Sequence, residues 1–238
     1  MSHLEPYQIL CQELQRVRET GPVEVTGRGS GRFGIAIEGA LGISQNSSKA
    51  PDFMGIELKT KSRGTLQTLF SRTPSRYLVD GGKAGFFERF SYEDIKRERR
   101  ALYTSFSSRP DSLGFFLRAV DGKVEVCHGV EALAEYDLAR LEEALLSKLN
   151  QTVFLRLETS KVEGIEYCEV VEAIYCKQPS ILRFIKLVAS GMVFLDFTLS
   201  MKRGSTLKDH GFLWRVKGDA LEQVYLFTQP LNLEEVER

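Results

Sequence analysis

Tyr7, Leu10, Cys11, Leu14 and Val17 recur three and four residues apart, the spacing that lines one face of an α-helix, and Gly21-Pro22 closes the run. After the glycine-rich, arginine-bearing "TGRGSGRFG", Phe33, Ile37 and Leu41 share the face of a second, short helix, with Glu38 beside that face rather than on it. A period of two then takes over in "GIELKT". The next segment, "TLQTLFSRTPS", predicts a strand and turn, and "LGFFLRAVDGKVEVCHG" a hairpin closed at Asp121-Gly122, a dipeptide that tolerates positive φ. Leu133, Leu138, Leu141, Leu145 and Leu149 predict a further helix, "TVFLRLE" and "IEYCEVVEAIYC" strands, and "PSILRFIKLVASG" a helix punctuated by proline and glycine. Two late strands, "MVFLDFTLSM" and "GFLWRVK", are joined by "KRGSTLKDH". Asp80 to Arg109 is polar and basic with no clear period, and its "EDIKRERR" reads as a solvated charged helix. Strands and helices mix without strict alternation. The expected fold is α/β in the α+β sense: a mixed central β-sheet flanked by helices, as one unit over 1–238 and without repeats.

Composition narrows this. The chain is 42% hydrophobic and 27% charged, which suits a folded enzyme-sized unit, and its apolar runs are interrupted or too short to span a bilayer. The N-terminus lacks the basic-then-apolar order of a signal peptide, so the expectation is a cytoplasmic protein with no membrane partner. Cys11, Cys127, Cys168 and Cys176 never form C-x-x-C and read as reduced thiols. Only His3, His128 and His210 offer imidazole, which leaves oxygen ligands and a hard cation as the metal chemistry. Lys plus Arg and Asp plus Glu both number 32, so any surface for a polyanion must come from local segregation of charge.

The candidate chemistry lies in "APDFMGIELKTKS", residues 50 to 62. Alternation sets Glu57 and Lys59 on one strand face and Ile56 and Leu58 on the other, while Asp52 reaches the charged face from just upstream. Carboxylates that hold a hard cation and an ammonium that meets water and phosphate are what Mg²⁺-assisted phosphodiester hydrolysis requires. A solvated edge strand with alternating charges is the bland alternative.

"PDFMGIELKT" resembles the Pro-Asp…(Asp/Glu)-x-Lys nuclease motif, and three more stretches match one branch of those nucleases in order. "GSGRFGIAIEGALG" is similar to its glycine-rich loop and glutamate-bearing helix, "TLQTLFSRTPS" to its Leu-Thr-Leu-Phe segment, and "KDHGFLWRV" to its late Asp-His-Gly…Arg element. On these residues, from about Gly27 to Val216, the chain resembles the MvaI/BcnI-type restriction endonuclease family, in the MutH-like branch of the PD-(D/E)xK nucleases.

The resemblance implies a restriction-endonuclease-like fold with a two-lobed, DNA-gripping cleft: a catalytic lobe including about 1–75 and a recognition lobe from the later chain, including about 200–217. It implies Mg²⁺ held by Asp52 and Glu57, Lys59 contacting water and the scissile phosphate, and Glu38 as an accessory carboxylate. Double-stranded DNA would be the partner of a monomer, with a cognate DNA methyltransferase as a functional companion and a site of the CCNGG kind. Lys208, Asp209, His210 and Arg215 would face the DNA, since Arg and Lys donate to guanine O6 and N7 and His to a base edge; a strand-face ion pair for Arg215 and a turn position for His210 stay open. Lys61, Arg63, Arg72, Arg76 and Lys83 are candidate phosphate contacts. A strand-nicking repair endonuclease of the MutH kind and a catalytically silent DNA-binding protein are the competing readings. The region from Asp80 to Arg109 matches no family loop, so target specificity does not transfer.

Overall fold

The computed structural model describes residues 4–29, 31–43, 51–61 and 64–234. In chain order these form α1 (Pro6–Glu19), β1 (Val23–Glu24), α2 (Arg32–Ala40), β2 (Glu57–Lys61), β3 (Leu66–Ser71), β4 (Arg76–Tyr77), α3 (Gly82–Phe90), β5 (Tyr92–Asp94) and β6 (Arg99–Phe106). The hairpin strands β7 (Phe115–Val120) and β8 (Lys123–His128) follow, then β9 (Glu131–Asp137), α4 (Leu138–Leu149), β10 (Gln151–Val162), β11 (Ile165–Pro179) and α5 (Ile181–Ala189). The last strands are β12 (Val193–Lys202), β13 (Lys208–Lys217) and β14 (Tyr225–Pro230). The chain divides into two compact units, one of residues 1–63, 148–179 and 225–238, the other of 64–147 and 180–224.

The first unit is built on the mixed sheet β1-β11-β10-β2, with β14 also on β11. Only β10 and β2 pair in parallel; the other pairings are antiparallel. A direct hairpin cannot join parallel neighbours, and here the long stretch between β2 and β10 makes the crossover. β10 and β11 are instead joined by two residues, Glu163 and Gly164, both with positive φ, the form that matches the twist of hairpin strands. Leu10, Leu14 and Val17 of α1 and Ile37 of α2 are buried with Ile56, Leu58, Val153, Leu155 and Val170 from the sheet. Each such side chain removed from water contributes roughly 1.5–3 kcal/mol, which fixes β2 by its apolar face and leaves its other face for chemistry.

In the second unit one sheet runs β3-β13-β12-β6-β5 and another β4-β9-β8-β7. Its core is aromatic: Phe86, Phe106, Phe115, Phe197, Phe212 and Trp214 are all fully buried. Phe86 lies 4.9 Å from Phe197 between ring centres and Phe106 lies 5.2 Å from Phe115, contacts that add to plain area burial.

Three local expectations change. Leu133 belongs to β9, because its stretch pairs with β8, and the helix begins only at Leu138. "EDIKRERR" is no helix: it supplies the end of β5, a short 3₁₀ turn over Ile95–Arg97 and the start of β6, with Asp94 paired to Arg99. The strand expected from "GFLWRVK" starts earlier, so Lys208, Asp209 and His210 at the end of the expected connection "KRGSTLKDH" lie on β13 together with Arg215. Cys127, Cys168 and Cys176 are buried free thiols and Cys11 is half-buried. No helix among the described residues is long and apolar enough to cross a membrane.

Candidate active site

Between Asp52 and Glu57 the chain reverses in the fewest residues possible. Phe53 and Ile56 exchange two backbone hydrogen bonds, of 2.9 and 2.8 Å, around Met54 and Gly55. Both central residues have positive φ, 46° and 87°, which identifies a primed two-residue turn. Continuing that pairing by one step sets Asp52 opposite Glu57, and opposite residues of an antiparallel pair face the same side. β2 is an edge strand, so some of its backbone groups lack a second neighbour. One of them, the Leu58 N–H, donates to Asp52 Oδ2 over 2.9 Å, which locks the carboxylate to the strand that carries Glu57. Gly55→Ala places a side chain at a φ that L-residues avoid, at about 1–3 kcal/mol, and loosens this lock. The expected result is a lower Tm; a Gly55→Ala protein that melts with the unaltered one would show that the turn accepts a side chain there.

Glu57 is 4% exposed, an unusual position for a carboxylate. Its Oε1 meets two ammonium groups, Lys59 Nζ at 3.2 Å and Lys148 Nζ at 3.3 Å. Its Oε2 is buried and has no hydrogen-bond partner. Lys148 comes from the last turn of α4, just before β10, whose Thr152 stands beside Glu57 in the parallel register. The sequence offered no sign of it, because nothing around Lys148 resembles a motif and its partner lies far back along the chain. On the Glu57 side, Tyr225 is fully buried and donates to Thr152 Oγ1 over 2.9 Å; burial holds its phenol well above the ordinary range, the Thr152 hydrogen bond offsets part of this, and the charges of Cys176 and Glu57 add to it.

Glu38 reaches the same place from α2. A Cβ built on Gly34 would lie at ordinary contact distance from the strand, 3.7 Å from the Thr60 methyl, and 3.8 Å from Glu38 Oε1, so this turn of α2 lies against β2. Burial raises the Glu38 pKa above its ordinary value, the charges of Asp52 and Glu57 raise it further, and Lys59 partly offsets them. That ordering brings Glu38, Asp52, Glu57 and Lys59 into one electrostatic neighbourhood.

Among the described residues no three His, Cys, Asp or Glu side chains stand close enough to hold a metal ion unaided. The donor set nevertheless fits Mg²⁺, which takes one or two carboxylates and keeps several waters. Asp52 and Glu57 supply hard oxygens, and an anionic Oε2 buried with no partner is an acceptor prepared for a cation. Lys59 and Lys148 neutralise the other oxygen of the same carboxylate.

A model of the MvaI/BcnI restriction endonuclease family matches residues 11–225. The chain belongs to that family. It carries the fold as well: the structure titled "Restriction endonuclease MvaI-cognate DNA substrate complex" matches at a TM-score of 0.78 and 19% identity, covering 97% of this chain and 100% of that one. MvaI in the absence of DNA matches at a TM-score of 0.62 and 19% identity, over 98% of this chain and 100% of that one. No curated protein sequence gave a significant match.

For a member of the MvaI/BcnI family, the residues expected to meet DNA have mixed surroundings. In the second unit Arg72 pairs with Glu143, Arg76 with Glu135 at 3.1 Å and Lys83 with Asp209 at 3.4 Å, so each cation would have to be shared between its carboxylate and a phosphate. Asp209 also accepts from the Gly211 N–H at 2.8 Å. Lys208 and His210 are exposed, and His210 Nε2 is 2.7 Å from Ser200 Oγ. Lys61, in the first unit, is half-buried on β2, and Arg63 lies outside the described residues. Arg215 donates to Asp196 Oδ2 and to the Leu66 carbonyl, both at 2.8 Å, which makes it the strand-face ion pair left open by the sequence. Removing it leaves Asp196 without its cation, so Arg215→Ala should lower stability by about 1–3 kcal/mol. In binding assays on cognate and one-base-changed duplexes the loss should be equal for both if the ion pair is its whole role; a selective loss on one would identify Arg215 as a reader.

Proposed function

We propose that this protein is a type II restriction endonuclease that hydrolyses phosphodiester bonds of double-stranded DNA at a short specific site in the presence of Mg²⁺, leaving 5′-phosphate and 3′-hydroxyl ends. The observation that carries this reading is the Glu57 carboxylate, one oxygen between two lysine ammoniums and the other buried without a partner, beside an Asp52 turned to the same side. A bound Mg²⁺ supplies Lewis-acid activation of water and phosphate at neutral pH. Asp52 and Glu57 would hold it. Lys59, mostly buried, keeps its ammonium at the Glu57 carboxylate, where it contacts the scissile phosphate and orients the attacking water. Water attacks phosphorus in line and gives up a proton to solvent, the bond from phosphorus to O3′ breaks, and the departing O3′ takes up a proton from solvent, so that one water is added across the bond. Glu38 tethers Lys59 or the water from the α2 side.

His210 and Lys208 are the base-facing candidates in the second unit, and a CCNGG-like site is the working target. We take the enzyme to act as a monomer that cuts the two strands in separate events, with a DNA methyltransferase protecting the same site. The test is digestion of supercoiled plasmid with Mg²⁺, with and without EDTA, followed by sequencing of the ends. Nicked circles should precede linear product, all ends should fall at one short sequence, and EDTA should stop the reaction. Ends scattered over the plasmid, or linear product with no nicked intermediate, would count against a site-specific monomer. Absence of any cutting would remove the nuclease itself.

A further inference from the structure

The zero net charge of the chain demands that cations segregate locally if a polyanion is to be held, and one place in the second unit does this. The β5–β6 and β12–β13 hairpins lie side by side through the β6–β12 pairing, where Arg99 stands opposite Lys202 and Arg100 opposite Met201. Between their tips is a groove of about 960 Å³ lined by Glu93, Glu98, Arg99, Arg100, Lys202 and Arg203 among others.

The cations on the two hairpins are not equivalent. Arg100 is tied to Glu88 at 2.6 Å and to Ser91, and packs over the Phe87 ring. Arg99 lies 3.7 Å from Asp94, stacks on Tyr103 and reaches Ser200 Oγ at 3.5 Å. These two are fixed side chains on the wall of the groove. Lys202 and Arg203, by contrast, are exposed and have no carboxylate partner among the described residues. They differ in this from Arg72, Arg76, Lys83 and Arg215, whose charges are already matched. The groove's two carboxylates come from the β5–β6 hairpin, so unmatched positive charge concentrates on the other tip. Ser200 connects the groove to His210, since its hydroxyl meets both Arg99 and the imidazole.

We propose that this groove grips the phosphate backbone of duplex DNA, with Lys202 and Arg203 as the phosphate-contacting cations and Arg99 as the fixed residue that links the grip to His210. It rests on the reading of the protein as a DNA endonuclease and adds a site to it. Unmatched cations on a hairpin tip release counterions when they meet phosphate, and they carry no base information.

The experiment is fluorescence anisotropy with a mixed-sequence duplex of ~30 bp, the span of a standard footprint with flanks, in Ca²⁺ over a series of salt concentrations. A Lys202→Ala/Arg203→Ala variant should bind more weakly on every duplex, and the slope of log K against log salt should fall by roughly 1.8, two contacts at about 0.9 each. The Lys202→Arg/Arg203→Lys variant should restore the slope, and thermal melting should be the same for all three proteins, because both residues are exposed. An unchanged slope overturns the proposal, and so does a loss confined to one base pair, which would mean base reading. The two levels of failure separate on the unaltered protein: if it neither binds the duplex nor cuts plasmid in Mg²⁺, the endonuclease reading falls and the groove with it. If it does both while the double variant binds normally, the groove alone is refuted.

Discussion

Asp52→Asn and Glu57→Gln should each reduce DNA cleavage by at least ~10³-fold, while binding to duplex in Ca²⁺ stays the same or tightens. A metal ion supplies several kcal/mol of transition-state charge stabilisation, and about 1.4 kcal/mol is tenfold in rate, so loss of one ligand at ~4 kcal/mol gives this size. The isosteric changes are chosen for a structural reason. Asp52 Oδ2 accepts the Leu58 N–H, and Asn retains an acceptor there, whereas Ala would leave that backbone donor unpaired at about 1–3 kcal/mol and confuse folding with catalysis. Glu57→Gln keeps the shape but removes the negative charge between Lys59 and Lys148. Each change also subtracts an anion from a site that must admit phosphate, hence the expected retention or gain in affinity. Either variant cutting within tenfold of the unaltered enzyme would break the assignment of these two carboxylates.

The parts of this site that were legible in the sequence are those fixed by local rules. Alternation alone puts Glu57 and Lys59 on one face and buries Ile56 and Leu58 on the other, and both apolar residues are in the core. The position of Asp52 was half legible: it could be placed just upstream of the strand, but the turn that brings it there depends on Met54 adopting positive φ, which its side chain gave no reason to expect. Lys148 was invisible for another reason, and the strand-face ion pair weighed for Arg215 could not be given its partner, Asp196. Both are products of register, the first of β10 against β2 and the second of β12 against β13, and register is set by which apolar residues reach the core rather than by the charged residues themselves. The same limit explains "EDIKRERR". A dense run of charge has no hydrophobic period to read, and it becomes the ends of two strands only because Asp94 finds Arg99 and β6 finds β12. The fold class was readable from the mixture of periods; the division of the strands among sheets was not.

Glu38→Gln should change stability and activity in opposite directions. The Glu38 pKa is raised by burial and by the nearby Asp52 and Glu57 charges, so the folded protein holds this proton more tightly than the unfolded chain does. Where the folded state binds more protons, stability falls as pH rises. The fall begins near the ordinary glutamate value of about 4.3 and is complete once pH has passed the raised value. At neutral pH without metal the ionised Glu38 therefore works against the fold, and Gln relieves it. Melting in EDTA should show the variant more stable than the unaltered protein near pH 8, with the difference shrinking toward zero near pH 4. Mg²⁺ should narrow the gap at pH 8, since a cation among Asp52, Glu57 and Glu38 cancels the repulsion that the substitution removes. Cleavage should meanwhile drop by about tenfold or more, because a neutral amide holds the Lys59 ammonium or the water less firmly than a carboxylate does. A variant that melts with the unaltered protein at every pH and cuts at the same rate would make Glu38 an ordinary glutamate on the surface of α2. One that gains stability without losing activity would leave it in the electrostatic neighbourhood of the site and outside its chemistry.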